Sequence, residues 1–234
     1  MRRAQAESVP ATAGAAGTKV TKVLRGLRTF SRRYVEICRD LSNSWVAWVL
    51  FLLYETFVVY IAAKLDRKLV EHSATAHGPD LKRVEHAAWL AGPGEHAQWI
   101  HTSLHSYGPE GRRLVAWIQV FDWLLVMTGY ALCLGAVASL VGDAFQASSP
   151  MKNMALVVLA AYIFDACENA MMVLLLANWG PIFVPSATLR FLSLAHVTFV
   201  RLKWICFLLL GLVLFPTLLM LLLRGPIERR AKAW

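Results

Sequence analysis

Four apolar runs constrain this chain more than anything else in it. Each is long enough to cross a hydrocarbon core of about 30 Å, which takes roughly 20 helical residues. They are Trp45–Ala63, Leu114–Val141, Met154–Asn178 and Trp204–Leu223, each bounded by charged residues or by the Trp179-Gly180-Pro181 break. The last holds twenty residues without a charge, between Lys203 and Arg224. Trp45, Trp117, Trp179 and Trp204 stand at the ends of the runs, where indole rings favour the membrane interface. The rest of the composition agrees. Of 234 residues 57% are hydrophobic and 17% charged, and mean hydropathy is +0.49, where soluble domains average about 45–50% apolar and about 25% charged. The sequence predicts an all-α integral membrane protein, a four-transmembrane-helix bundle over residues 45–223.

The net charge of +9 does not point to nucleic acid, because the bases lie in the tails and the first loop. Residues 1–44 carry nine Lys/Arg, the tail 224–234 carries four, and Lys152 lies in the loop 142–153. Loop 64–113 carries seven with six acids. The positive-inside rule therefore places both termini on the inner side, cytoplasm or, in an organelle, matrix. A bacterial plasma membrane and a mitochondrial inner membrane both fit.

Residues 1–18 read as a flexible tail. Over 19–40, Val20, Val23, Leu24, Leu27, Tyr34 and Cys38 recur at helical spacing, with Lys22, Arg25, Arg28, Arg32 and Arg33 on the rest of the surface. That is a basic amphipathic helix suited to an anionic membrane face. An organellar targeting segment is the competing reading, since residues 1–33 hold eight bases and one acid. Loop 64–113 is predicted to be partly helical, broken at Gly92-Pro93-Gly94. Its second helix, Glu95–Tyr107, is expected to lie flat on the outer interface through Ile100, Leu104 and Tyr107.

The chemistry lies inside the spans. Glu55, Asp122, Asp165 and Glu168 all fall within apolar runs, where a charge at a helix centre costs about 2.5–3.5 kcal/mol on insertion scales. Such groups face a bundle interior. Asp165, Glu168 and Asn169 share one helical face by their i, i+3 and i, i+4 spacing. Asp122 lies about 9 Å from the middle of its run, towards the outer side, with Gln119 one turn before it. Lys203 is expected at the outer mouth of the last span, its stem reaching in towards Asp122. Four carboxylates and one reachable ammonium cannot all be ionised in low dielectric, so part of this set is expected to be protonated.

Six of seven histidines fall in loop 64–113. His101 and His105 sit one turn apart, a spacing compatible with Zn²⁺, with His96 or Glu95 as the candidate third ligand. Titrating imidazoles on a surface helix are the simpler account, and no metal is assigned. The four cysteines form no C-x-x-C and read as packing residues. No Gly-rich phosphate loop or hydrolase motif is present.

Phe121-Asp122 in one span, the D-x-x-E-N of Asp165–Asn169 in the next and Lys203-Trp204 opening the last resemble a group of small bacterial four-helix membrane proteins of unassigned function. The resemblance implies architecture over residues 45–223 and no activity. Three functional classes remain. The first is a non-catalytic accessory or scaffold subunit of a larger membrane complex, such as an energy-transducing one. The others are a lipid-binding or lipid-modifying protein and a proton-coupled transport component. A non-catalytic role is favoured over an enzymatic one. The expected partners are membrane lipids with anionic headgroups and other membrane subunits, with bound lipid and no cofactor.

Overall fold

In a computed structural model, the chain is described over residues 13–72, 93–144, 153–180 and 186–231. Among the described residues it is almost entirely helical and contains no strand. In chain order the helices are α1 (Ala13–Ser42), α2 (Trp45–His72), α3 (Pro93–Ser106), α4 (Gly108–Phe121), a π turn (Asp122–Val126), α5 (Met127–Ala144), α6 (Met154–Ala177) and α7 (Ala187–Ala231). Four stretches are long and apolar enough to cross a membrane: Trp45–Leu69, Gly108–Asp143, Met154–Ala177 and Ala187–Met220. They are four candidate spans, packed together as an all-α bundle.

Three helices outrun their apolar sequences. α2 continues through Lys64, Arg67 and Lys68 to His72, the second span starts at Gly108, and the last helix begins at Ala187 rather than Trp204. Hydropathy marks where side chains leave lipid. Backbone hydrogen bonding carries on past that point, because a helix satisfies its own donors in water as well as in hydrocarbon. The part of loop 64–113 that holds His77 and His86 lies outside the described residues, as do residues 1–12 and 145–152.

Among the described residues the bundle has two large apolar clusters and a small third one, Val197 with Val200. At one end Tyr34, Cys38, Ala131, Ala138, Val141, Met154, Val158, Leu210 and Leu214 pack together. At the other, Leu69, Ile100, Leu104, Tyr107, Val115, Leu175 and Leu192 do so. α6 contributes its early residues to the first cluster and its late ones to the second, while α7 does the reverse, so the two run antiparallel.

The α1 end is held by side chains. The Tyr34 hydroxyl donates to the Ala131 carbonyl at 2.7 Å, and the Trp48 indole donates across the α1–α2 turn to the Ser42 carbonyl at 3.1 Å. Arg39 pairs with Asp143 at 3.1 Å. Gly135 makes this docking possible, since a Cβ there would run into Cys38 Sγ and the Tyr34 ring. Residues 21–30 of α1 are exposed throughout.

At the opposite end the apolar face of α3, expected on the outer interface, is buried against the spans instead. Ile100, Leu104 and Tyr107 are each 3% exposed and pack against Leu69, Val115, Leu175 and Leu192. Gly108, at φ +64°, makes the corner that folds α3 back; that conformation suits glycine because it has no Cβ.

Candidate functional site

The buried faces of α6 and α7 follow one rhythm. On α6 the buried positions include 154, 158, 161, 165, 168, 172 and 175, and on α7 they include 193, 196, 200, 203, 210, 214 and 217. Steps of three and four residues, and one of seven, are the spacing of a knobs-into-holes seam. Most of these positions are apolar. Asp165 and Glu168 on one helix and Lys203 on the other are the charged ones.

Those three meet. Lys203 Nζ lies 2.6 Å from Glu168 Oε2 and 3.1 Å from Asp165 Oδ1, with all three side chains at most 8% exposed. One ammonium balances one carboxylate. The other acid needs further donors, and the Tyr130 hydroxyl supplies one, donating to Asp165 Oδ2 at 2.8 Å. Asn169, one turn along, donates through Nδ2 to Asp122 Oδ2 at 2.6 Å and faces Met127 Sδ at 3.2 Å.

Asp122 is placed by the π turn. The Met127 N–H donates to the Asp122 carbonyl, five residues back instead of four. Such single wide turns inside α-helices occur frequently at functional sites. The backbone departs from regular helix where the span contributes its acid to the cluster.

Three sequence expectations need correction. Lys203 is not at the mouth of its span but near its middle, because α7 starts sixteen residues earlier; its partners are Asp165 and Glu168. Glu55 does not join the cluster. It is half-buried on α2, its carboxyl beside Gly129 and near Cys133. Among the described residues no hydrogen bond or ion pair reaches it. The neighbouring Tyr54 instead turns its hydroxyl to the Leu125 carbonyl at 2.7 Å. Gln119 is half-buried and makes no hydrogen bond to the cluster among the described residues.

Sequence reasoning missed a second polar site, at the α3 end. His96 Nε2 and His196 Nδ1 are 3.2 Å apart, their rings stacked at 5.4 Å, and both side chains are buried. One proton shared between two neutral imidazoles makes this bond. Burial, and then the charge of Arg201, push the His96 imidazole down to about 4. The missed signal was the seven-residue step from His196 to Lys203, which puts both on the buried face of α7. Val197 and Val200, at 1% and 0% exposed, fill the interval.

His101 and His105 stack on each other and on Trp179, with the Arg112 guanidinium 3.6 Å from the Trp179 ring centre. His101 Nε2 contacts the Gly180 carbonyl at 2.9 Å. The three histidines considered as ligands thus divide: His96 turns to α7, while His101 and His105 cap Trp179. Among the described residues no three metal-ligating side chains converge. Lys22, Arg25, Arg28, Arg32 and Arg33 all lie on the exposed part of α1.

No family model, curated protein or solved structure matches this chain.

Proposed function

We propose that the chain is a non-catalytic accessory subunit of a larger membrane complex, and that its buried ionic cluster sets the register of its spans. The observation that carries the reading is Lys203 held between Asp165 and Glu168 on the α6–α7 seam. Buried polar groups on an apolar seam cost stability and specify alignment, which is the best-attested use of such groups. An apolar seam alone repeats itself after seven residues, about 10.5 Å. The pairing of Lys203 with Asp165 and Glu168 does not. The cluster draws its partners from within the chain, which suits a scaffold better than a site kept open for substrate.

In this reading both termini lie on the inner side, and the exposed part of α1 rests on anionic lipid. Val23, Leu24, Leu27 and Phe30 are each more than half exposed, and the five bases around them match an acidic headgroup layer.

Gentle extraction followed by native mass measurement tests the proposal, with Asp165→Asn and Glu168→Gln examined beside the native chain. The amides keep shape and much of the hydrogen bonding, so assembly into one large complex is expected for all three. A monomeric native chain would overturn the reading. So would proton flux in reconstituted vesicles that is present in the native chain and abolished in both folded amide variants, because an amide cannot relay that proton. That result would favour the transport class.

A further inference from the structure

The subunit reading leaves open where a neighbour docks, and α2 carries the answer. Its apolar window is 11% buried inside the chain, against 44, 39 and 28% for the other three spans. Lipid would cover a uniformly apolar helix, and α2 is not uniform. Trp48, Leu52, Glu55, Val59 and Ala62 follow one another in steps of four, three, four and three, the spacing of a helix-packing seam. Glu55 is at the centre of that row. Leu52 and Val59, its neighbours on either side, are 71% and 64% exposed.

The three acids near the middle of the other spans all have partners: Asp165 and Glu168 share Lys203, and Asp122 takes Asn169. Glu55 stands at a similar depth without one among the described residues. On the α5 side Gly129 adds no side chain beside it, and a Cβ there would collide with the Tyr54 ring. The exposed row is therefore apolar on either side of its acid, with Ala62 as its small residue; small residues allow close helix approach.

We infer that the Trp48–Ala62 row of α2 is the docking face for a transmembrane helix of a partner subunit, one that brings a hydrogen-bond donor to Glu55 at mid-span. The donor is a Lys, Arg, His, Asn, Gln, Ser, Thr or Tyr side chain, since an acid in hydrocarbon is satisfied by a cation or by a polar N–H or O–H, as Asp165 is by Lys203 and Tyr130. The inference rests on the subunit reading and names the chemistry of its partner.

The test uses the full chain in its native membrane, with a benzophenone amino acid at Leu52 or Val59 and, as controls, at Leu212 or Phe215 on the exposed face of α7. Light should join the α2 positions to one partner polypeptide, within about one turn of a Lys, Arg, His, Asn, Gln, Ser, Thr or Tyr in a transmembrane segment. The α7 positions should give no such product. Glu55→Gln should keep most of the yield and Glu55→Leu should lower it at least tenfold, with helix content unchanged in both. Dicyclohexylcarbodiimide, which attacks protonated carboxyls in lipid, should label Glu55 rapidly only after the partner is stripped away. Products with lipid alone, with a second copy of this chain, or with a wholly apolar segment overturn the inference. Native mass separates the two failures: a large complex with any of those products leaves the subunit reading standing, and a monomer removes both.

Discussion

Replacing Lys203 by Met removes the ammonium and keeps most of the stem. Asp165 and Glu168 then stand side by side on α6, facing the seam with no cation, at side-chain exposures of 8% and 5%. Breaking a buried pair by deleting one partner costs about 3–5 kcal/mol, because the remaining charge has no compensation. Protonating both acids recovers part of this, so the lower half of that range is the expected loss. The triple change Lys203→Met, Asp165→Asn, Glu168→Gln removes all three charges of the Lys203 site at once and leaves Tyr130 and the amides to bond one another. It should lie within about 1–2 kcal/mol of the native chain, since each net hydrogen bond is worth about 1 kcal/mol. Unfolding from mixed micelles by SDS titration, followed by far-UV circular dichroism, gives both numbers. If the cluster sets register, the triple variant should also admit disulfide pairs between α6 and α7 displaced by seven residues. A single Lys203→Met costing under about 1 kcal/mol, or a triple variant worse than the single, would refute the reasoning.

Docking of α3 should depend on pH. A free imidazole titrates near 6.5 and docked His96 near about 4, so the undocked form takes up a proton first as pH falls. Docking is at full strength above about pH 6.5 and weakens down to about pH 4, by about 3 kcal/mol in total. Hydrogen exchange of the α3 amides, corrected for intrinsic rate, should show that slope, and His96→Phe should flatten it; a flat native profile contradicts it. Gly135→Val should drive α1 away from α5, at about 1–3 kcal/mol for the overpacking, and trypsin should then cut at Arg32 and Arg33 faster, with unchanged cutting as the adverse result. Cysteine labelling should reach residues 4 and 232 from one side of the membrane and position 101 from the other. Labelling of all three from one side would remove the assigned topology.

The parts of this architecture that were legible are those written in local pattern. Four apolar runs, the basic amphipathic segment and the shared face of Asp165, Glu168 and Asn169 need no knowledge of distant residues. The place of Lys203 is not legible because the apolar run ends there and the helix does not: Ala187–Arg201 continues it through more polar sequence. Glu55 shares its depth with the other acids, and depth does not tell which flank of α2 faces Asp165. His96 and His196 are 100 residues apart, and the bond between them depends on α3 folding back at Gly108. Nothing in the periodicity of either segment encodes that meeting.

The π turn gives the second span a particular tolerance to changes in chain length. Val115 and Met127 are both fully buried and twelve residues apart, which in an unbroken α-helix would set them about 120° out of phase. One surplus residue in the wide turn brings that to about 20°, so both halves show the same face to α6. The span thus carries the mark of a one-residue insertion absorbed without rotating either half. Deleting Trp123 or Leu124 should convert the turn to ordinary helix and leave both halves in place. The same deletion at Val115 or Ala131 would swing one half of the span by about 100°. Any relative with an unbroken helix here would align to this chain with a single gap inside Asp122–Val126.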